Sequence, residues 1–416
     1  MKLYIDPGTG SMLFTILIGV LGAAVYAFRG LFLKLRFHLN GGKAIDTAGD
    51  HPSVVIFSDS KRYWNVFETI CDEFEKRQEK LEYLTASPDD PALDRSYEYV
   101  KSRFIGEGNK AYAALNMLHA DIVLSTTPSL DVLYWKRSKN VKWYVHIGHF
   151  AGDMTLYRMF GIDYFDAVLT SGTHQEKQIR SLEKLRNLPP KEIIETGVTY
   201  LDSMKARLDD AGVLPDHPLT VLLAPSWGPS AILTVYGAEI IKALLDTGYH
   251  IIIRPHPQSF TAEKENMESL MRQFPENEQL EWNRDNDNFE VLRRSDIMIS
   301  DFSGVIFDFA LVFDKPIIYA DTHFDKAPYD ACWLEEEPWA FGILPELGPQ
   351  LTAEHLKDMR ELIDRCLSDS SYKQGRDKAR KEGWSYPGEA AKRAADYLIE
   401  KKNELTGSAA ESVQNH

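Results

Sequence analysis

Short runs of β-branched and other apolar residues alternate with longer amphipathic segments along most of this chain, and that alternation restricts the fold it can adopt. Ser53-Val54-Val55-Ile56-Phe57 reads as a buried strand and Trp64–Lys80 as a helix. Leu81–Thr85 follows as a strand, Asn109–His119 as a helix, and Asp121–Ser125, Lys142–His146, Phe165–Thr170 and Ile193–Gly197 as further strands. Strand and helix in turn require a mostly parallel sheet covered on both faces. The stretch Asp209–Pro218, carrying Gly212, Pro215 and Pro218, reads as an inter-domain linker. The pattern then restarts with strands Leu219–Ala224, His250–Arg254, Asp296–Ser300 and Pro316–Ala320, separated by helical segments Tyr236–Asp246, Thr261–Gln273 and Val305–Phe313. A chain of 416 residues exceeds one compact core and suits two domains of roughly 150–200 residues each. The expected class is therefore α/β, with two Rossmann-like doubly wound domains (residues 44–208 and 218–367) facing a cleft. Residues 368–405, with the charged stretch Tyr372–Lys402, add C-terminal helices, and 406–416 form a polar, disordered tail.

Charge divides the chain unevenly. Lys and Arg total 47 against 62 Asp and Glu, a net of −15. Residues 1–43 hold Lys2, Arg29, Lys34, Arg36 and Lys43 against Asp6, a net of +4, so the remainder carries −19. So acidic a body is unsuited to nucleic acid, whose phosphates demand a basic footprint. From Pro7 to Phe28 run 22 residues without a charge. As a helix they would extend roughly 33 Å, enough for a bilayer core. Basic residues crowd the C-terminal flank, so the positive-inside rule places the N-terminus outside and the acidic body in the cytoplasm. A cleaved signal peptide would have only Lys2 as its basic start, and a buried soluble helix is the other alternative; length and flanks favour a single-pass anchor in the cell membrane. Ser11, Thr15, Gly19, Ala23 and Ala27 place small side chains on one face of that helix, which leaves room for a homo-oligomer. Three scattered cysteines, Cys71, Cys332 and Cys366, form neither a disulfide framework nor a zinc motif.

In open α/β sheets ligands bind beyond the carboxyl ends of the strands, and four clusters stand there. His146 and Gly148 close one strand; a neutral imidazole there can act as a general base, or simply fill a half-buried turn. Arg254-Pro255-His256-Pro257 presents His256 from a stiff backbone beside an arginine suited to phosphate, unless the prolines merely end the strand. Ser300-Asp301-Phe302-Ser303-Gly304 joins a strand to a helix, where free amides, the Ser303 hydroxyl and Gly304 suit a phosphate; Asp301 either bonds a ribose or caps the helix. Ala224-Pro225-Ser226-Trp227 follows the first strand of the second half, with Trp227 stacking on a base or packing in its loop. His146 and His149 lie three apart at a turn, a spacing that does not favour a metal, and no dinucleotide or phosphate-loop fingerprint occurs.

Taken in order, these clusters, together with Thr196-Gly197-Val198-Thr199-Tyr200-Leu201-Asp202 and Ser300–Ala310 followed by Lys315-Pro316-Ile317-Ile318-Tyr319, resemble the CDP-glycerol:poly(glycerophosphate) glycerophosphotransferase family. The resemblance runs from about Trp143 to Tyr319. It implies a GT-B-like fold that makes teichoic-acid-type polymers, with an acceptor domain first and a nucleotide-donor domain second. It further implies His146 as catalytic base, His256 as a second essential histidine at the phosphate, and Pro225, Ser226, Trp227, Arg254, Asp301, Ser303 and Gly304 around the donor. The partners implied are a CDP-alcohol donor, a lipid-linked or polymeric acceptor and the membrane, with no metal and no cofactor. The sequence departs from the family where a lysine would follow the first histidine, at Thr199 and Tyr200 in place of Pro and Arg, at Gly304 in place of Ser, and at Gly228 in place of Arg. Two readings compete with a glycerophosphotransferase: a GT-B glycosyltransferase using a nucleotide sugar, and a non-catalytic membrane scaffold. Both retained histidines and Asp301 weigh against the scaffold, and the leaving group separates the two enzymes.

Overall fold

The computed structural model describes residues 52–285, 287–320 and 322–414, and within them two parallel sheets. The first contains β1 (Val54–Ser58), β2 (Leu81–Thr85), β3 (Val100–Phe104), β4 (Ala120–Ser125), β5 (Val141–Ile147), β6 (Ala167–Thr170) and β7 (Glu192–Glu195), in the order β3-β2-β1-β4-β5-β6-β7. The second contains β8 (Thr220–Leu223), β9 (His250–Ile253), β10 (Leu280–Trp282), β11 (Ile297–Ser300), β12 (Ile317–Ala320) and β13 (Gln350–Leu351), in the order β10-β9-β8-β11-β12-β13. In both, the order reverses beside the first strand, between β1 and β4 and between β8 and β11.

The residue types explain this arrangement. Every residue of β1 is buried, because a parallel sheet is covered on both faces and has no use for polar alternation. Val54 and Ile56 point to one side, into a core with Phe67, Ile70 and Phe74 of the helix Trp64–Lys76. Val55 and Phe57 point to the other, against Leu115, Trp135 and Phe165. Each such side chain contributes about 1.5–3 kcal/mol on burial. In the second domain Val221, Leu223 and Ile251 meet Ile240 and Leu244, while Leu222, Ile252 and Met298 meet Phe289 and Phe309.

The helix Thr199–Asp210 runs to the point where the sequence suggests a linker beginning at Asp209, and it packs Leu201 and Met204 into the core of the second domain. The motif preceding it receives the C-terminal segment. Gly197, at φ +93°, lies so close to Ser385 that a Cβ would stand 2.2 Å from its carbonyl oxygen. Asp202 accepts hydrogen bonds from Trp384 Nε1 (2.8 Å) and Ala390 N (2.9 Å). The charged stretch expected as one helical run is two helices, Ser371–Gly383 and Ala390–Gln414, broken around Pro387 and Gly388. The second returns to the first domain and buries Ala394, Ala395 and Leu398 in the core shared with the helix Trp64–Lys76 and β4. Its backbone stays helical to Gln414, through the region expected as a disordered tail. Extending an existing helix avoids the cost of nucleation.

Among the described residues no helix is long and apolar enough to cross a membrane. The uncharged stretch Pro7–Phe28 lies outside them.

Candidate active site

The two reversals of strand order open crevices at the carboxyl ends of β1 and β4 in one domain and of β8 and β11 in the other. On the second-domain side, the Ala224–Trp227 loop is held from two directions. Asp301, 1% exposed, accepts from Ser226 N (2.9 Å) and Ile232 N (2.9 Å). Glu263 accepts from Gly228 N (3.1 Å) and the Thr234 hydroxyl (3.1 Å). Asp301 thus neither caps the following helix nor faces a ribose; it shapes the loop, and burial raises its pKa. Pro225 and Ser226 are buried at the root of the loop, and Trp227 stands out from it, 43% exposed. Gly228 adopts φ +98°, a conformation that side-chain-bearing residues rarely take, so an arginine here would need a different turn.

His256 lies beside Trp227, with ring centroids 6.3 Å apart. Its Nδ1 accepts a hydrogen bond from Gln258 N (3.1 Å), which places the proton of a neutral ring on Nε2. Burial, together with the charges of Arg62 and Arg254 and against that of Glu263, lowers its pKa, so the ring is a neutral N–H donor at pH 7. Arg254 is half-buried and donates to Asn283 Oδ1. Ser303 and Gly304 form the turn into the short helix Val305–Phe307, which passes directly into a π-helical turn, Asp308–Val312. A Cβ on Gly304 would stand 4.0 Å from the Cβ of Phe150 in the first domain, so this turn sits where the domains meet.

The first-domain side departs from the expectation for His146. The residue lies inside β5 and is 0% exposed, walled in by Tyr157 and Phe165. Its Nε2 is 3.2 Å from the Tyr157 hydroxyl, and its Nδ1 has no hydrogen-bond partner. Burial, then the neighbouring His149, lowers its pKa to about 3. An imidazole with no surface cannot take a proton from an acceptor hydroxyl. Strand alternation supplies the reason: His146 points into a covered face, whereas the chain has left the strand by His149.

His149 occupies the crevice instead. It is partly exposed, its Nδ1 lies 3.2 Å from the Thr126 hydroxyl at the end of β4, and its ring lies 4.9 Å from Tyr63 and 4.8 Å from Phe150. Burial lowers its pKa to about 4, which keeps the ring neutral at pH 7. Asp59, just beyond β1, has its carboxyl raised by burial against the opposing effect of the Thr127 hydroxyl. Arg62, whose charge acts on His256, belongs to the same first-domain rim as Tyr63. Sequence reading passes over Asp59, Arg62, Tyr63 and Thr126, and weighs His149 only as a metal ligand. The signal that finds them is the strand order, which a sequence does not carry.

Two further contacts join the domains below this cleft. Asp153 accepts from Trp339 N (3.0 Å) and Ala340 N (2.7 Å). Asp330 accepts from Phe160 N (2.8 Å) and Gly161 N (3.0 Å) and pairs with Arg186, which also pairs with Asp163 (2.7 Å). Among the described residues no cluster of three His, Cys, Asp or Glu side chains is placed to hold a metal ion.

Comparison with known proteins adds three findings. Residues 50–386 match the model of a protein family described as CDP-glycerol:poly(glycerophosphate) glycerophosphotransferase. No curated protein matches the chain. Among solved structures, one of the wall teichoic acid polymerase TagF soaked with CDPG superposes with a TM-score of 0.58 at 17% identity, covering 92% of this chain and 99% of that one. The S. aureus MnaA–UDP co-structure gives 0.57 at 12% identity, covering 85% and 97%. UDP-GlcNAc 2-epimerase from Neisseria meningitidis bound to UDP-GlcNAc gives 0.55 at 11%, covering 84% and 100%. At such identities the likeness is one of fold, GT-B-like with two facing parallel sheets.

Proposed function

The chain belongs to the CDP-glycerol:poly(glycerophosphate) glycerophosphotransferase family and is an enzyme of that type, and from that premise we propose that it moves a glycerol-phosphate or related polyol-phosphate unit from a CDP-alcohol to a hydroxyl on a lipid-linked or polymeric acceptor, releasing CMP. The second domain holds the donor and the first presents the acceptor. The acceptor oxygen attacks the phosphorus that carries the polyol; a new P–O bond forms, and the bond to the bridging oxygen of CMP breaks. His149 takes the hydroxyl proton, and the electron pair leaves on CMP. The Nε2–H of His256 and the guanidinium of Arg254 meet the growing charge on the phosphates, while Trp227 flanks the donor. Such chemistry rests on positioning and charge stabilisation and involves no covalent protein intermediate.

The observation that carries this reading is the pair of neutral histidines at strand ends of opposite domains: His149 with its Nδ1 against the Thr126 hydroxyl, and His256 with its proton fixed on Nε2 by Gln258. The membrane part of the proposal rests on sequence. The uncharged stretch 7–28 and its basic flank anchor the chain by a single pass, with the body in the cytoplasm beside its acceptor. The test is a screen of CDP-glycerol, CDP-ribitol and UDP-sugars with a membrane extract as acceptor, following the nucleotide released. CMP from a CDP-alcohol is the expected product. Release of a nucleoside diphosphate from a sugar donor, with the CDP-alcohols inert, would overturn the proposal in favour of a glycosyltransferase.

A further inference from the structure

One end of the first domain exposes large apolar side chains with no function in the cleft. After β4 the chain passes through Leu133, 64% exposed, and Tyr134, 66% exposed, before it enters β5. Hydrogen bonds fix the position of this loop. Asn116 Nδ2 donates to Tyr134 O, Asn116 Oδ1 accepts from Lys136 N, and the Ser138 hydroxyl donates to Leu118 O. Asn116 and Leu118 follow the helix Asn109–Leu115 and precede β4, so the loop lies at the end of the sheet where strands begin, opposite the cleft. Two more exposed apolar residues share that end. Tyr164, 44% exposed, precedes β6, and Leu185, 58% exposed, closes the helix Thr173–Arg186 that runs back from the end of β6.

The chain also enters the fold here. Ser53 O accepts from Ile122 N beside the start of β4. Before it stand the uncharged stretch 7–28 and then residues 29–53, a 25-residue connection whose near part carries Arg29, Lys34, Arg36 and Lys43. Fully extended, such a connection reaches about 80–90 Å, and any coiling brings this end of the sheet nearer to where the stretch stops. The charge around the loop is also distinct from that of the body. Lys136, Arg137, Lys139 and Lys142 stand against Asp121, Asp131 and Asp166, a local net of +1 in a body of −19. Exposed tyrosine and leucine beside lysine are the composition that settles at a bilayer interface, apolar part in the acyl boundary and cations among the headgroups.

We propose that this end of the first domain, led by Leu133 and Tyr134, rests on the surface of an anionic bilayer. The inference depends on the reading of residues 7–28 as a membrane anchor. It adds an orientation: the sheet stands with strand starts on the membrane and the cleft facing away from it. A lipid-linked acceptor must then present its hydroxyl at the height of the sheet above the headgroups.

The test uses the full chain with Cys332→Ser, since Cys332 is the exposed cysteine among the three. An environment-sensitive fluorophore is placed at Tyr134→Cys or, as a control, at Val213→Cys, a position 97% exposed beyond the helix Thr199–Asp210. The protein is reconstituted in vesicles of phosphatidylglycerol and phosphatidylcholine, with spin-labelled lipid as quencher. The expected result is a blue shift and quenching at 134 and neither at 213. A carbonate wash of the same samples reads the anchor separately. Protein retained by carbonate but water-exposed at 134 overturns the docking face and leaves the anchor standing. Protein stripped by carbonate but apolar at 134 before the wash supports the face and removes the anchor. A label at 134 as wet as the one at 213, in protein that carbonate also strips, overturns both.

Discussion

Replacing His146 and His149 one at a time by glutamine separates a buried histidine from a working one, and the structure gives a magnitude for each. At His149 the loss is one of chemistry. Removing a general base costs about a hundredfold or more in turnover, equivalent to about 2.7 kcal/mol or more on the barrier. At His146 the change falls on stability and its pH dependence. An imidazole held neutral in the fold, with a pKa of about 3 against 6.5 in the open chain, opposes protonation that the unfolded chain accepts. The unfolded state therefore binds more protons between those values, and stability falls as the pH drops through that window. Between pH 7 and pH 5 the folded ring stays neutral while the unfolded ring gains its proton, which removes about 2 kcal/mol of folding stability. Glutamine does not titrate and can still meet the Tyr157 hydroxyl. The His146→Gln enzyme is thus expected to keep turnover within a few-fold of the parent and to lose about 2 kcal/mol less than the parent between pH 7 and pH 5. Nucleotide release measures the first and urea denaturation at the two pH values the second. A hundredfold loss in His146→Gln with an intact circular dichroism spectrum, beside near-normal His149→Gln, would refute the assignment and return the base to His146.

Three other outcomes follow from the site. His256→Ala is expected to lower turnover by about a hundredfold or more with the fold unchanged, and near-parental CMP release would remove His256 from the mechanism. Asp301→Ala leaves Ser226 N and Ile232 N without their acceptor, at about 1–3 kcal/mol for each orphaned buried group. It should lower the denaturation midpoint and raise the donor KM, and an unchanged midpoint contradicts the stapled loop. Deleting residues 1–43 removes the uncharged stretch and leaves a body of net −19. That protein should stay in solution and still turn over a water-soluble acceptor analogue, whereas the intact chain should remain with membranes through a carbonate wash; release of the intact chain by carbonate refutes the anchor.

The sequence makes the interior strands readable and most of the edges obscure, for a physical reason. β1 and β11 are covered on both faces, so they read as nearly unbroken apolar runs. β3 is Val100-Lys101-Ser102-Arg103-Phe104 at the sheet margin, where charged residues guard an open edge and hide the strand pattern. β10 and β13, with three and two residues, are too short for any periodicity to register. The site divides along the same line. Residues in one stretch of chain, such as Arg254 with His256 or Ala224 to Trp227, are visible as motifs. The crevice of the first domain is assembled from Asp59, Tyr63, Thr126 and His149, on three separate strand ends, and only the β1–β4 reversal brings them together. His146 shows the limit of a motif: two histidines three residues apart look equivalent until the strand decides which one is inside.

The electrostatics of the cleft bear on the substitutions that set this chain apart from its family. Burial draws the titratable groups at the strand ends toward their neutral forms: His149 and His256 downward, Asp59 and Asp301 upward, and Tyr63 up to about 12. A site at the mouth of a body with net −19 thereby avoids adding anionic charge where the proposed donor's diphosphate would sit. Tyr200 stands where the family resemblance would place an arginine, close enough to Arg254 for the two groups to act on one another. The Tyr200 hydroxyl donates to Asn288 Oδ1 (3.0 Å) and lies 3.3 Å from Asp308, tying the helix Thr199–Asp210 to the second domain. A cation that would hold an anionic substrate has become a neutral inter-domain tie. On the proposed reading, attraction for the donor then falls to Arg254, Arg62 and the backbone amides of the Ser303 turn. With fewer charges to bind, the cleft should hold an acceptor of lower charge than a long poly(glycerophosphate), and the salt dependence of the acceptor KM measures it. A KM nearly flat between low and physiological ionic strength is expected for a weakly charged acceptor, and a steep rise with salt would show that a polyanion is still recognised through cations elsewhere.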